Sequence, residues 1–127
     1  NNIKIYLNKL NINNNPKIVA VSKTFKLDKI LPLIEHGHID YGENKVQEAV
    51  EKWTEIKNSN LEIKLHMIGK LQTNKVKFAV KLFDYIHSLD NQKLAEKISI
   101  QQDKMKFSLI RKELKTWIKA CRKLITK

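Results

Sequence analysis

Short apolar runs alternate along this chain with stretches in which apolar residues recur at helical spacing. The first run, at residues 18–21, is almost continuously apolar, which is typical of a parallel strand covered on both faces. Helical spacing follows over residues 27–34, and Gly37 is placed to end that helix. The alternation then repeats, with strands predicted at 39–41, 61–66 and 83–87 and helices at 43–56, 71–82 and 91–98. Strands and helices alternating at these lengths predict parallel βαβ units.

The pattern changes at the end of the chain. From residue 101 the strand signal stops, and apolar residues recur at steps of mostly three and four, which predicts one amphipathic helix. Its apolar stripe comprises Phe107, Ile110, Leu114, Trp117, Ile118, Cys121, Leu124 and Ile125, and its opposite face carries Lys112, Lys115, Lys119 and Lys123. We therefore divide the chain into residues 1–100, made of βαβ units, and a basic helical tail at residues 101–127.

Four βαβ units correspond to half of a (β/α)8 barrel. A complete barrel of this type takes about 250 residues, whereas this chain has 127. The predicted fold is therefore α/β, with the first half of a TIM-type barrel followed by the basic C-terminal helix. The first and fourth strands would then present unpaired edges, which favour self-association.

Candidate chemistry lies where the predicted strands end, because parallel α/β folds bind ligands at the carboxyl ends of their strands. Lys23 follows the first strand, where partial desolvation would favour the free amine that attacks an aldehyde. Asn44, His66 and Ser88 follow or end the next three strands, and we expect them to lie at the same end of the barrel as Lys23. The alternatives are structural: Lys23 as a solvated loop cation, Asn44 as a helix cap, and His66 or Ser88 as partners of backbone groups.

Four segments around these residues resemble one known family. They are Val-Ser-Lys-Thr at residues 21–24, Tyr-Gly-Glu-Asn at 41–44, His-Met-Ile-Gly-Lys-Leu-Gln-Thr-Asn-Lys at 66–75 and Ile-His-Ser-Leu-Asp at 86–90. In order and spacing they resemble the pyridoxal phosphate homeostasis proteins, relatives of the alanine racemase amino-terminal domain, over roughly residues 16–99.

The resemblance implies a barrel that holds pyridoxal 5′-phosphate (PLP) as an aldimine on Lys23. It also implies that Asn44 lies near the cofactor, and we include His66 and Ser88 in the candidate PLP site. A protein of this kind is a non-catalytic carrier that buffers PLP in the cytoplasm or delivers it to PLP-dependent apoenzymes.

Two other hypotheses concern the same site. A truncated or frame-shifted relic with weak or no PLP binding would account for the length and the altered tail. An active racemase or another PLP enzyme would need an opposing acid/base residue from another segment or from a second chain.

Charge supports a rival function. The net charge is +12, and residues 101–127 hold nine Lys and Arg against two Asp and Glu. A basic amphipathic helix can bind a membrane surface, an acidic partner or a nucleic-acid backbone, although no recognised nucleic-acid module is present. The single cysteine excludes an internal disulfide and fits a reducing cytoplasm. No apolar span is long enough to cross a bilayer, and the histidines lack the companions of a metal site.

Overall fold

The computed structural model describes residues 5, 9 and 16–125, and side chains only as far as residue 116. Its elements in chain order are β1 (Ala20–Val21), α1 (Leu27–Glu35), β2 (Asp40–Glu43), α2 (Val46–Ser59), β3 (Lys64–Met67), a 3-10 turn (Thr73–Lys75), α3 (Val76–Leu82), β4 (Tyr85–Ile86) and α4 (Gln92–Ile125). The predicted alternation of strands and helices is confirmed. β1, β3 and β4 are shorter than predicted, whereas β2 is one residue longer than the strand predicted at 39–41.

The four strands form one parallel sheet in the order β1-β2-β3-β4. Each strand therefore pairs with the next along the chain, as successive strands do in a (β/α) barrel. In this register Gly42 lies opposite Val21 on one side and opposite His66 on the other. His66 in turn lies opposite Tyr85. The carboxyl ends of all four strands consequently meet at one edge of the sheet.

The hydrophobic core lies between one face of this sheet and the helices. Tyr41 and Leu65 point into it from the strands, and both are fully buried. Apolar residues of α2 at positions 46, 49 and 53 share one helical face, and Trp53 packs against Tyr41 with ring centroids 4.8 Å apart. The core also includes residues of α3 and of the start of α4: Val76, Ala79, Leu82 and Leu94.

The opposite face of the sheet is less covered. The expectation that residues 18–21 form a strand buried on both faces is wrong, because only Ala20–Val21 is a strand and Val21 is 47% exposed. Tyr85, in the same register row as Val21, is 44% exposed. The physical reason is that the described helices pack on the other face. Apolar continuity alone did not reveal which face would be covered.

The C-terminal helix α4 is a single element of 34 residues, so it joins the helix predicted at 91–98 to the tail predicted at 101–127. The Asn91 side chain accepts a hydrogen bond from the Leu94 backbone N–H at 2.9 Å and caps its start. Beyond the core contacts of Leu94 and Ile98, the stripe residues Phe107 and Leu114 are exposed. The stripe side chains from Trp117 onward, with Lys119 and Lys123, lie outside the described ones. None of the described helices combines the length and apolarity of a membrane span.

Candidate functional site

Lys23 lies in a tight turn directly beyond β1. The Ser22 backbone N–H donates to the Gly42 carbonyl at 3.0 Å, and the Ser22 carbonyl accepts from the Phe25 N–H at 3.2 Å. Thr24, at the third position of this turn, has a φ of +70°. That conformation suits glycine and is strained for a β-branched residue, and such strain tends to be kept at functional sites.

The Lys23 side chain is exposed to solvent. The partial desolvation expected from the sequence is therefore not observed within the described part of the chain. The reason is that Lys23 stands in the turn beyond β1, outside the sheet. Exposure leaves the amine accessible to a small molecule in solution.

A buried carboxylate lies beneath this turn. Glu43, the last residue of β2, is fully buried, and its Oε1 accepts hydrogen bonds from the Ser22 hydroxyl at 2.7 Å, the Lys52 ammonium at 2.9 Å and the Trp53 indole N–H at 2.9 Å. Lys52 also donates to the Ser22 carbonyl at 2.9 Å. We call these four residues the Glu43 network. Sequence reasoning missed it, because Glu43 was placed at the start of the helix predicted at 43–56, whereas it is the last residue of β2.

Asn44 follows β2 and is held by the loop after β3. A Cβ atom on Gly69 would lie 2.3 Å from the Asn44 carbonyl oxygen and 2.8 Å from its Cα, so the two backbones touch and only glycine fits. The Ser88 hydroxyl donates a short hydrogen bond to the Gly69 carbonyl. Helix α2 starts after Lys45 and has no side-chain cap hydrogen bond. Asn44, Gly69 and Ser88 thus connect the ends of β2, β3 and β4.

His66 lies within β3 on the face opposite the helices and is only 5% exposed. Its Nε2 is 2.9 Å from Asp40 Oδ1, and its Nδ1 is 2.9 Å from His87 Nε2. The imidazole also stacks on Tyr85 at 4.5 Å between ring centroids. Both ring nitrogens are therefore engaged, and His87 is the exposed member of this chain of hydrogen bonds. Sequence reasoning paired His66 with neither Asp40 nor His87.

A cavity of about 370 Å³ lies next to Asn44, between the loops that follow β2 and β3. Val46 and Met67 supply its apolar lining, and its polar lining is Asn44, Lys45, Gln47, Lys70, Gln72 and Lys75. Lys45 pairs with Glu48 at 2.7 Å, and that hydrogen bond raises the pKa of the Lys45 ammonium. Because Lys70 and Lys75 also line it, the cavity has a cationic character. Its lining residues between 70 and 75 belong to the longest of the family-like segments.

The four predicted site residues thus have different surroundings. Lys23 and Asn44 lie just beyond the ends of the neighbouring strands β1 and β2. His66 lies deeper in the sheet, and the Ser88 hydroxyl is engaged with a backbone carbonyl. An arrangement of this kind places an exposed amine and the half-buried Asn44 just beyond the carboxyl ends of two neighbouring parallel strands.

The chain is similar in sequence to known proteins that share one name. No family model matches the chain. A pyridoxal phosphate homeostasis protein of Pasteurella multocida is 38% identical over 86 residues, which cover 68% of this chain and 37% of that protein. Its counterpart in Buchnera aphidicola is 37% identical over 116 residues, covering 85% of this chain and 50% of the relative. The chain therefore spans half or less of the length of these relatives.

The chain is also similar in fold to solved structures. PipY of Synechococcus elongatus, determined without PLP, superposes with a TM-score of 0.68 at 32% identity, covering 81% of this chain and 47% of PipY. The structure of PipY with PLP bound gives a TM-score of 0.66 at 35% identity, covering 81% and 49%. Sequence and fold therefore agree, and over its matched residues this chain belongs to the family of the pyridoxal phosphate homeostasis proteins.

Proposed function

We propose that this chain binds PLP covalently through Lys23 and takes part in intracellular PLP homeostasis as a non-catalytic carrier. The observation that carries the proposal is the position of Lys23: an exposed amine directly beyond β1, in a turn with a hydrogen-bonded backbone. The similarity to PipY, which was solved with PLP bound, supports PLP as the ligand. Residues 1–100 would form the cofactor-binding part of a TIM-type barrel, with the part of α4 beyond residue 100 as a basic helical extension.

The chemistry is the condensation of an amine with an aldehyde. The free Nζ of Lys23 attacks the aldehyde carbon of PLP, a C=N bond forms, and the aldehyde oxygen leaves as water. The reverse hydrolysis releases the cofactor. Because Lys23 is exposed, water and competing amines reach the linkage, which suits storage and delivery to apoenzymes in the cytoplasm better than turnover.

The other three candidate residues have different parts in this proposal. Asn44 orients the ring substituents of PLP with its side-chain amide. Ser88 holds the loop after β3 in place through its hydrogen bond to the Gly69 carbonyl. His66 stabilises the strands beneath the site through its contacts with Asp40 and His87. We also include self-association through the open edges of the sheet, since β1 and β4 each pair on one side only in the described sheet.

The test is an absorbance titration of the purified chain with PLP, followed by borohydride reduction and mapping of the adduct. Lys23→Ala is compared with Lys26→Ala, which removes another exposed lysine from the same loop. We expect a saturable adduct on Lys23 that is lost in Lys23→Ala and kept in Lys26→Ala. Unsaturable labelling of many lysines, unchanged by Lys23→Ala, would refute the proposal and favour the relic hypothesis.

A second candidate function rests on the exposed part of α4. Phe107, Ile110 and Leu114 are 70%, 51% and 55% exposed and share one side of the helix, beside exposed Lys and Arg residues. Apolar side chains next to cations favour an anionic membrane surface over a nucleic-acid backbone. Sedimentation with anionic and with neutral vesicles tests this, and we expect Ile110→Ser to weaken binding only to anionic vesicles. Equal binding to both vesicle types would contradict it.

A further inference from the structure

The Glu43 network connects the core to the turn that carries Lys23. We infer that this network positions the Lys23 amine for reaction with PLP, with Lys52 as the positioning residue that acts on the turn. The inference rests on the proposed function and extends it to side chains that touch neither PLP nor the reacting atoms.

Lys52 is the link between the carboxylate and the turn. Its ammonium donates to Glu43 Oε1 and to the Ser22 carbonyl, each at 2.9 Å, and its side chain is only 13% exposed. The Ser22 carbonyl belongs to the peptide group that joins Ser22 to Lys23. Rotation of that peptide would break the bond to Lys52 and the bond that the carbonyl accepts from Phe25.

The Ser22 side chain and backbone N–H are also held. The hydroxyl donates to Glu43 at 2.7 Å, and the N–H donates to the Gly42 carbonyl at 3.0 Å. Every polar atom of Ser22 therefore has a partner from β2, α2 or the turn itself. The backbone immediately before Lys23 has one orientation, and the Lys23 side chain starts from a fixed point.

The energetics of the Glu43 network favour a positioning role over a purely stabilising one. Burying a carboxylate and an ammonium costs desolvation energy that their mutual attraction does not reliably recover. All three donors bind Oε1, and Glu43 Oε2 is buried with no hydrogen-bond partner among the described residues. A local cost of this kind, next to the strained Thr24, is typical of a functional site.

The chain offers a closely matched control. Lys57, on the same helix α2, also donates to a backbone carbonyl and a carboxylate, those of Leu82 at 2.8 Å and Asp84 at 2.6 Å. Its side chain is 20% exposed. Asp84 precedes β4, so this pair lies at the edge of the sheet opposite to Lys23. Lys57→Met therefore removes the same kind of interaction without touching the turn.

The experiment measures PLP association and the share of the reduced adduct on Lys23 in Lys52→Met, Lys52→Arg and Lys57→Met, at a temperature where circular dichroism shows each variant folded. Should Lys52→Met not fold, the double variant E43Q/K52M, which leaves no buried charge unpaired, replaces it. We expect about tenfold weaker association for Lys52→Met and a lower share on Lys23, because misplacing a reacting group slows its reaction. Lys52→Arg should recover most of the loss, and Lys57→Met should match the unmodified chain.

The outcomes separate this inference from the proposed function. No saturable adduct on Lys23 in the unmodified chain would refute the proposed function itself. A normal adduct there, with unchanged association and labelling in Lys52→Met, would overturn the positioning role alone. An equal loss in Lys52→Met and Lys57→Met would also overturn it, because the effect would then follow stability and not the turn.

Discussion

Replacing Gly69 by alanine adds one methyl group at the contact between the loops after β2 and β3. The new Cβ would lie 2.3 Å from the Asn44 carbonyl oxygen, 2.8 Å from Asn44 Cα and 2.8 Å from Asn44 Cβ. All three atoms belong to the backbone of Asn44 or are attached directly to it. No side-chain rotation relieves the overlap, so one loop must move away from the other.

The cost follows from this geometry. Overpacking in a well-packed region costs about 1–3 kcal/mol, and we expect about 3 kcal/mol here because the obstructing atoms are backbone. Domains are typically stable by about 5–15 kcal/mol, so the variant should fold with a clearly reduced free energy of unfolding. The shift should also displace Asn44 and weaken PLP binding.

Gly42→Ala is the matched control. Its Cβ would lie 3.1 Å from Ile68 Cδ1 and 3.1 Å from Val19 Cγ1, which are the ends of side chains that can rotate. Neither Gly42 nor Gly69 has a positive φ, so alanine adopts both backbone conformations. Alanine also restricts the unfolded chain, and we expect Gly42→Ala to change stability by less than about 1 kcal/mol.

Urea unfolding followed by circular dichroism measures both variants. We expect a lower transition midpoint for Gly69→Ala, with an unchanged slope, and a midpoint close to that of the unmodified chain for Gly42→Ala. Equal stabilities for the two variants would refute the close contact between Asn44 and Gly69. A changed slope would mean that the variant differs in the surface exposed on unfolding.

Three further predictions concern other parts of the fold. Burial raises the pKa of Tyr41 above its ordinary value of 10.0. The contribution of protonated Tyr41 to stability is complete below that value and is lost as pH rises through the folded pKa. The free energy of unfolding, measured between about pH 9 and pH 11, should therefore fall more steeply in the unmodified chain than in Tyr41→Phe. Thr24→Gly should raise stability by about 0.5–1 kcal/mol in urea unfolding, because glycine tolerates the φ of +70°; a loss of stability would contradict the strained turn. Asp84→Ala should cost about 1–3 kcal/mol in thermal unfolding, because Asp84 accepts from the Leu65 N–H at 2.8 Å and from Lys57; no change would show that water replaces both bonds.

The alternation of strands and helices was readable from the sequence because each element satisfies a local rule. Apolar residues of α2 at positions 46, 49 and 53 repeat at the helical period, whatever they later pack against. The placement of Lys23 and Asn44 beyond strand ends followed from the same local information. These features depend only on residues that are close in sequence, so the parallel sheet and the general place of the candidate site could be predicted.

Burial on the open face was not readable in the same way. Residues 18–21 look like a fully covered strand, yet Val21 is 47% exposed. Whether a face is covered depends on where separate elements pack, and a run of apolar residues carries no information about that. By contrast, the continuation of α4 through residue 101 has a local cause, since nothing in the local sequence interrupts its hydrogen bonds.

The sequence alone indicated the order of the elements, the position of Lys23 beyond the first strand and the family to which the matched residues belong. Which side chains meet depends on the tertiary structure. Ser22, Glu43 and Lys52 converge because the register of β1 on β2 and the packing of α2 bring them together. Asp40, His66 and His87 likewise come from three different places in the chain. The reason is that periodicity encodes the amphipathic face of each element locally, whereas hydrogen bonds between distant residues depend on register and packing across the whole sheet.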